Sequence, residues 1–401
     1  MKKFLSMVLA LAMSTSLFTF SASAKDFTDS SKIKYSEAVD VVSALDIVDG
    51  YADGSFNPSA TLTRGAAAKI ICNMILGPTT ADALSADTAP FKDVPANHTF
   101  SGYIAYCAQK GIISGYADGT FRPAGTLTGY AFMKMLLGAL GYDADIEGYT
   151  GSNWTVAVAK QAMGIGLDDG NDKFVGTQAV TREEACLYAF NTLTADVVEY
   201  GSKTTVNING ATVVVGGNEA SKVSNTAAAS KHYDGEGDGV MQFCEQYFKD
   251  LKLKSGESQD DFGRPAKTWY NKADKIGTYA KEADVVYTTK TKAETIYKDL
   301  DLSKAYNYAT VVDGVKGSDF VVTKKDGATV NGATGDADTK VGSGNGSLIE
   351  VYKDEQVITV INTYLMQVTG DYDKKDEKLT LTEIDEVKAS GAKSFNLSSD
   401  D

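Results

Sequence analysis

The chain has 401 residues, 23% of them charged, and a formal net charge of −14. That length holds two or three domains with cores of their own. The acidic balance argues against nucleic acid and anionic lipid as partners and suits an extracellular protein in a crowded layer.

Residues 1–24 read as a secretory signal peptide. Lys2 and Lys3 precede an apolar run from Phe4 to Met13, and a Ser/Thr/Phe segment ends at Ala22-Ser23-Ala24. The run is too short to span a bilayer. Its removal, with Lys2 and Lys3, takes −14 to −16. No later segment is long and apolar enough to cross a membrane, and no Cys directly follows the signal, so we expect export without membrane insertion. Cys72, Cys107 and Cys186 lie in apolar helical patterns, and Cys244 in a further such stretch. Buried free thiols are the expectation, with a disulfide left open; no spacing suits a metal.

Internal repetition is the main signal. "GYADGSFNPSATLTRGAAA" from Gly50 and "GYADGTFRPAGTLTGYAFM" from Gly115 align without a gap. A worn third copy, "DDGNDKFVGTQAVTREEAC", starts at Asp168 and puts Arg182 in register with Arg64, where the second copy has Gly129. A helix is predicted before each turn, with Ala38, Val41, Val42 and Leu45, then Tyr103, Ile104 and Cys107, then Val156, Val158, Ala159 and Ala162 at helical spacing. Gly50, Gly115 and Gly164 or Gly166 are expected at positive φ where those helices end. Asp53-Gly54 and Asp118-Gly119 read as turn chemistry, since a calcium loop needs more oxygen ligands at tighter spacing. Thr63, Thr128 and Thr181 are predicted N-caps of a second helix, and Thr181 with Glu184 forms a capping box. One such helix pair cannot bury its apolar faces alone; three packed round an axis can.

An Arg one residue after a threonine cap stands at a helix N-terminus, where unpaired N–H groups and the dipole favour an anion. Its planar fork can meet a carboxylate with two parallel hydrogen bonds. Nine residues past the Arg position stand Asn73 and Asn191, with Gly138 in the second copy. That offset is half a turn out of phase, so the asparagines are expected to face another way, toward a neighbouring copy.

Beyond Val197 the repeats stop. "TTVNINGATVVVGG" reads as a hairpin closed by Asn209-Gly210, and "GDGVMQFCEQYFKDLKL" as a helix. From Ala266 short alternating strands follow, and Val330–Ser347 reads as a long loop or link. His232 is the one histidine there, which leaves no Ser/His or Cys/His pair in view. Cys244 sits among Phe243 and Tyr247 as a core residue, and the acids, such as Asp260, Asp261, Asp371, Asp373 and Asp376, belong to no recognisable motif.

"FKDVPANH", "YIAYCAQKGIISGYADGTFRPAGTLT" and "VTREEA" resemble the S-layer homology (SLH) domain, over three copies spanning 25–196. The resemblance implies a non-enzymatic unit of pseudo-threefold symmetry that holds exported proteins on bacterial walls. It implies a secondary cell-wall polysaccharide as partner, often ending in a pyruvylated sugar, bound in grooves between repeats with the Arg as contact. A pyruvyl ketal carries a carboxylate, which fits Arg64 and Arg182. Thr99 stands where the family has Trp, while Trp154 is present in the third copy.

The expected fold class is therefore α+β and multidomain: an all-α pseudo-threefold SLH trimer, then a β-rich region. Expected boundaries are 1–24 signal, 25–84, 85–144 and 145–199 repeats, 200–235 linker and hairpin, and 236–401 β-rich. The expected ligand-binding residues are Arg64, Arg182, Trp154, Asn73, Asn191, Gly50 and Gly115, with no catalytic residue, metal or cofactor. Copies of the same chain in a surface layer are a second expected partner. The competing reading is a wall-anchored enzyme or a carbohydrate-binding adhesin, with its activity in 200–401.

Overall fold

The computed structural model describes residues 25–202, 204–208, 211–215, 217, 219–227, 230–343, 346–364, 366–371, 378–384 and 389–396. The signal segment and the Asn209-Gly210 turn lie outside them. The described chain is mixed α+β, helical first and β-rich after. It forms two compact units, 25–255 with 268–279, and 256–267 with 280–396.

The first unit is built on helix pairs. They are α1 (Ser36–Ala44) with α2 (Arg64–Leu76), followed by the short α3 (Pro78–Asp82), then α4 (Ser101–Gln109) with α5 (Gly129–Ala139), and α6 (Trp154–Gly164) with α7 (Arg182–Leu193). The threonine caps form as the sequence predicts. Thr63, Thr128 and Thr181 accept from the N–H of Ala66, Ala131 and Glu184, and the Thr181–Glu184 box closes. Of the predicted apolar stripes, Val156 departs: it is 69% exposed, so α6 buries a narrower face through Val158 and Ala162.

The segments leading into α2, α5 and α7 bind one another in a ring. Leu62 N–H donates to the carbonyl of Val180 at 2.9 Å, Val180 to Leu127 at 2.9 Å, and Leu127 back to Leu62 at 3.1 Å. All three side chains are buried in one core with Phe56, Phe121, Ile71, Ile104, Leu136 and Tyr188. The ring continues into the helix starts. Arg64 and Gly65 donate to Gly125 and Pro123; Gly129 and Tyr130 to Gln178 and Gly176; Arg182 and Glu183 to Ala60 and Pro58. Each helix start thus bonds the turn of the next pair, and the third returns to the first.

Gly50 and Gly115 are not at positive φ, contrary to expectation; Asp46 (φ 54°), Gly111 (φ 71°) and Gly166 (φ 73°) take that conformation. Glycine is needed at 50 and 115 for close approach instead. A Cβ on Gly50 would stand 2.6 Å from the Phe27 ring, and one on Gly115 would meet Phe91.

The chain beyond α7 stays with this unit for some distance. β1 (Val198–Tyr200) pairs antiparallel with β4 (Ala220–Lys222), while β2 (Thr204–Ile208) and β3 (Ala211–Val215) form the predicted hairpin. The helix expected around 237–253 shrinks to α8 (Phe243–Tyr247), because the chain turns at Phe248 into β5 (Leu251–Gln259). β5, β6 (Pro265–Asn271) and β7 (Asp274–Ala280) form a three-stranded sheet. Within the first unit Trp269 is buried and donates from Nε1 to Glu37 at 2.7 Å, and the Tyr279 hydroxyl donates to Asp40 at 2.7 Å.

In the second unit β8 (Val285–Tyr287), β9 (Thr291–Lys292), α9 (Ala293–Asp299), β10 (Tyr306–Val312), β11 (Val315–Lys316) and β12 (Phe320–Val322) lead to the segment read as a loop. β13 (Ala328–Val330) ends on the first residue of that segment, which instead holds β14 (Ala333–Gly335), paired with β13 as a hairpin, and β15 (Lys340–Val341). β16 (Ser347–Tyr352) and β17 (Val357–Asn362) complete a sheet ordered β11-β10-β17-β16-β8, with β12 also on β10. Its core is Ile296, Tyr308, Ile349, Val351, Ile358 and Val360. β18 (Met366–Val368), β19 (Lys378–Ile384) and β20 (Ala389–Asn396) form a separate three-stranded sheet.

Candidate functional site: two arginine grooves and a closed joint

Arg64 leaves the first residue of α2 and crosses to the second pair's turn. Its Nε donates to the Phe121 carbonyl at 2.8 Å and its Nη2 to the Ser114 carbonyl at 3.2 Å. The guanidinium lies 4.4 Å from the Phe121 ring centroid and 5.1 Å from that of Tyr116, within cation–π range. Burial pulls its pKa below the ordinary value, with Tyr116 and the Asp93 carboxylate only partly offsetting that and Arg122 adding to it.

Arg182 repeats this geometry from α7 onto the first pair's turn. Nε donates to Phe56 at 2.9 Å and Nη2 to Asp49 at 2.8 Å, with the Phe56 and Tyr51 rings at 4.9 and 4.8 Å. Tyr51 and Tyr116 are 48% and 43% exposed, so each is partly open to solvent beside its arginine. These tyrosines were missed in the sequence, although the repeated "GYADG" carried them.

The two turns are held by carboxylates from upstream. Asp29 accepts from the N–H of Phe56 and Asn57, and Asp93 from Phe121 and Arg122, at 2.7–2.9 Å. Desolvation pushes both carboxyls up, but the backbone N–H bonds outweigh it and hold both below the ordinary range. Asp53 and Asp118 accept from Ser55 and Thr120 two residues on, which is turn chemistry. The Thr120 bonds, with Arg122, hold Asp118 down to about 2.

One expectation fails in an instructive way. The first N–H groups of α2 and α7 are not open to an anion, because the neighbouring turn's carbonyls and the threonine caps take them. Any anion here must rely on the arginine side chain. Nor do Asn73 and Asn191 reach a groove. Asn73 is buried and donates to the carbonyls of Asp46 and Ile47; Asn191 donates to Leu167 and Asp169. Each asparagine pins its own pair's turn, not a neighbour's.

The Arg64 side opens into a cavity of about 440 Å³ that brings together Arg64, Gly115, Tyr116, Phe121, Lys134 and Trp154. Trp154 thus lines a groove, with Lys134 Nζ 5.7 Å from its ring. Lys134, missed in the sequence, was visible as the lone cation in "YAFMKMLL".

The third joint is closed. Where the arginine would start, a Cβ on Gly129 would stand 2.8 Å from the Phe174 ring and 3.2 Å from Gly176 Cα. Tyr130 fills the space, edge-on to Phe174 at 5.7 Å. The third turn is also shorter. Ile47 and Leu167 both close their preceding helices, yet Phe56 follows nine positions after the first and Phe174 seven after the second.

Outside these joints His232 faces buried Glu245 at 3.4 Å, and Asn225 donates to the same carboxylate at 2.6 Å. All four cysteines are buried and free, with Cys72 and Cys107 sulfurs 3.6 Å apart. Among the described residues no cluster suits a metal and no helix is long and apolar enough to cross a membrane.

Comparison with known proteins matches two segments of this chain to a family model. Residues 26–68 and 90–129 match the S-layer homology domain. The chain is 24% identical over 217 residues to a surface layer protein of Brevibacillus choshinensis, covering 53% of this chain and 19% of that protein. It is 25% identical over 203 residues to the middle cell wall protein of Brevibacillus brevis, covering 50% and 19%. An uncharacterized cell wall amidase of Bacillus anthracis is 29% identical over 153 residues, covering 36% and 28%. The chain spans about a fifth of the length of the two Brevibacillus relatives. This is a cell-surface protein with SLH segments. The two matched segments hold the first two helix pairs up to the Arg64 and Gly129 positions.

Proposed function

We propose that the chain anchors an exported protein to the bacterial wall by binding an acidic secondary wall polysaccharide, of the pyruvylated kind, in the grooves at Arg64 and Arg182. The β-rich second unit is what the anchor displays, and the reading assigns no catalysis. The observation that carries it is the Arg64 cavity. In a chain of net charge −14, its lining holds Arg64, Lys134, Tyr116 and Trp154 and not one Asp or Glu. Aromatic faces take the apolar side of a sugar ring, and a guanidinium takes a carboxylate.

The third pair, α6 with α7, is read as a third repeat. The closed ring of Leu62, Val180 and Leu127 supports three copies round a common axis, as does the helix start of each pair bonding the next turn. Overall acidity does not oppose an acidic ligand, because charges beyond about 8–10 Å are screened in physiological salt.

The test is sedimentation with purified walls, using the full chain and residues 25–279. A cut at 199 would unseat Trp269 and Tyr279 from α1, so the shorter piece must reach 279. Both should bind native walls and neither should bind walls stripped of polymer or of its pyruvyl groups. Equal binding to stripped walls overturns the reading.

A further inference from the structure

The two arginine sites share their arginine geometry but not their surroundings. The turn that receives Arg182 carries Asp46 and Asp49, both bonded to Lys25 at 2.7 and 2.8 Å. The turn that receives Arg64 has Gly111 and Ser114 at those places. Five residues into α2 and α5 stand Lys69 and Lys134. Lys69 meets Asp82 at 3.4 Å. Among the described residues Lys134 has no carboxylate within ion-pair distance; its Nζ donates to the Tyr149 carbonyl at 2.7 Å and sits over the Trp154 ring. Lys134 is half-buried, and desolvation lowers its pKa, with distant Asp145 only partly offsetting that. A half-buried cation without a counter-charge is costly. Arg64 in the same cavity likewise has no carboxylate within ion-pair distance among the described residues, Asp93 acting on it only from further off.

We propose that the Arg64 groove recognises a saccharide segment carrying two acidic groups, one met by Arg64 and one by Lys134, with a sugar ring against Trp154. Lys134 is then the residue that sets selectivity, and the Arg182 groove takes a singly charged segment. This rests on the polysaccharide reading above and goes beyond it in charge count and in the ranking of the grooves.

The experiment is calorimetric titration of the full chain with two synthetic disaccharides, one bearing a single pyruvyl ketal and one bearing a ketal on each ring. The Arg182→Ala background isolates the Arg64 groove. There the doubly charged ligand should bind about tenfold tighter, the gain expected of one added charge-assisted contact. Lys134→Met should bring that ratio close to one, Lys134→Arg should keep it, and Lys69→Met should leave it unchanged. Melting curves of the Met and Arg variants check that the fold survives. A ratio of one in the Arg182→Ala background, or a ratio that persists in Lys134→Met, overturns the proposal. Arg64→Ala separates the two levels. If it abolishes binding of both ligands while Lys134→Met leaves the ratio intact, only this inference falls. If Arg64→Ala changes nothing, the polysaccharide reading falls, and this inference with it.

Discussion

The joint at Arg64 and the joint at Gly129 are written by the same sentence of sequence and do opposite things. Both start a helix one residue after a capping threonine, and both bond that start to the next pair's turn through two backbone N–H groups. At the first, an arginine crosses to carbonyls of Phe121 and Ser114 and stands beside an open cavity. At the other, Tyr130 and Phe174 fill the gap and the opposing turn is short. The backbone ring is therefore the part that folds the unit, and the side chains and turn length at each joint decide whether it is also a site. Repetition is required by the fold; binding is required only of some joints.

The largest test of that division removes both arginines. Arg64→Ala with Arg182→Ala should cost roughly 3–6 kcal/mol of binding, taking about 1.5–3 for each charge-assisted contact, or on the order of a hundredfold to ten-thousandfold in affinity for wall polymer. Helical circular dichroism should not change, because the ring bonds are all backbone. A double variant that binds walls like the wild type would break the comparison at its root.

Legibility follows the range of the interaction. The caps at Thr63, Thr128 and Thr181 were readable because a cap is decided within three residues. The register of Arg64, Gly129 and Arg182 was readable because repetition displays it. What Arg64 touches was not, since Phe121 lies 57 residues on. The helix N–H groups were read as open for the same reason: their partners sit in another copy. Gly50 and Gly115 were recognised as special but for the wrong cause, since a ring packed from upstream excludes a side chain as firmly as a positive φ does. The offset of Asn73 and Asn191 from the arginines was correct, yet only the fold shows that it aims them at their own turn. The seat of Trp269 and Tyr279 on α1 joins residues more than 230 apart, and no local pattern announces it.

That seat supplies a pH test of intermediate size. Burial raises Asp40 to about 6; the Tyr279 hydroxyl bond lowers it, and Glu37 and Asp26 raise it further. The folded form therefore holds a proton that the unfolded form, at 3.8, has released. Stability from this group is gained as pH falls from about 6 toward 4, and is lost as pH rises through about 6. The difference of about two pH units sets an upper limit of about 3 kcal/mol. Asp40→Asn still accepts from Tyr279, so it should raise the melting temperature at pH 8 and leave it nearly unchanged at pH 4. An equal effect at both pH values would show that Asp40 is charged in the fold throughout. Wall binding should follow neither, since Asp40 touches no groove.

The smallest effect on binding is expected at the closed joint. Gly129→Ala places a methyl 2.8 Å from the Phe174 ring and 3.2 Å from the Gly176 backbone. Phe174 is locked between Tyr130 and Tyr188, both edge-on at 5.7 and 5.6 Å, so it cannot swing aside without moving the core. Overpacking of this kind costs about 1–3 kcal/mol, and calorimetric melting should show it. Wall affinity of the folded protein should stay within about twofold, because the joint makes no anion contact to lose. The same crowding rules out repair by Gly129→Arg. Its side chain would have to pass Phe174 and Tyr130 to reach a turn two residues shorter than the other two, so it should melt lower than Gly129→Ala and gain no affinity. A Gly129→Arg protein that binds walls more tightly than the wild type would show that the third joint can open, and that its closure depends on the glycine and not on the tyrosine beside it.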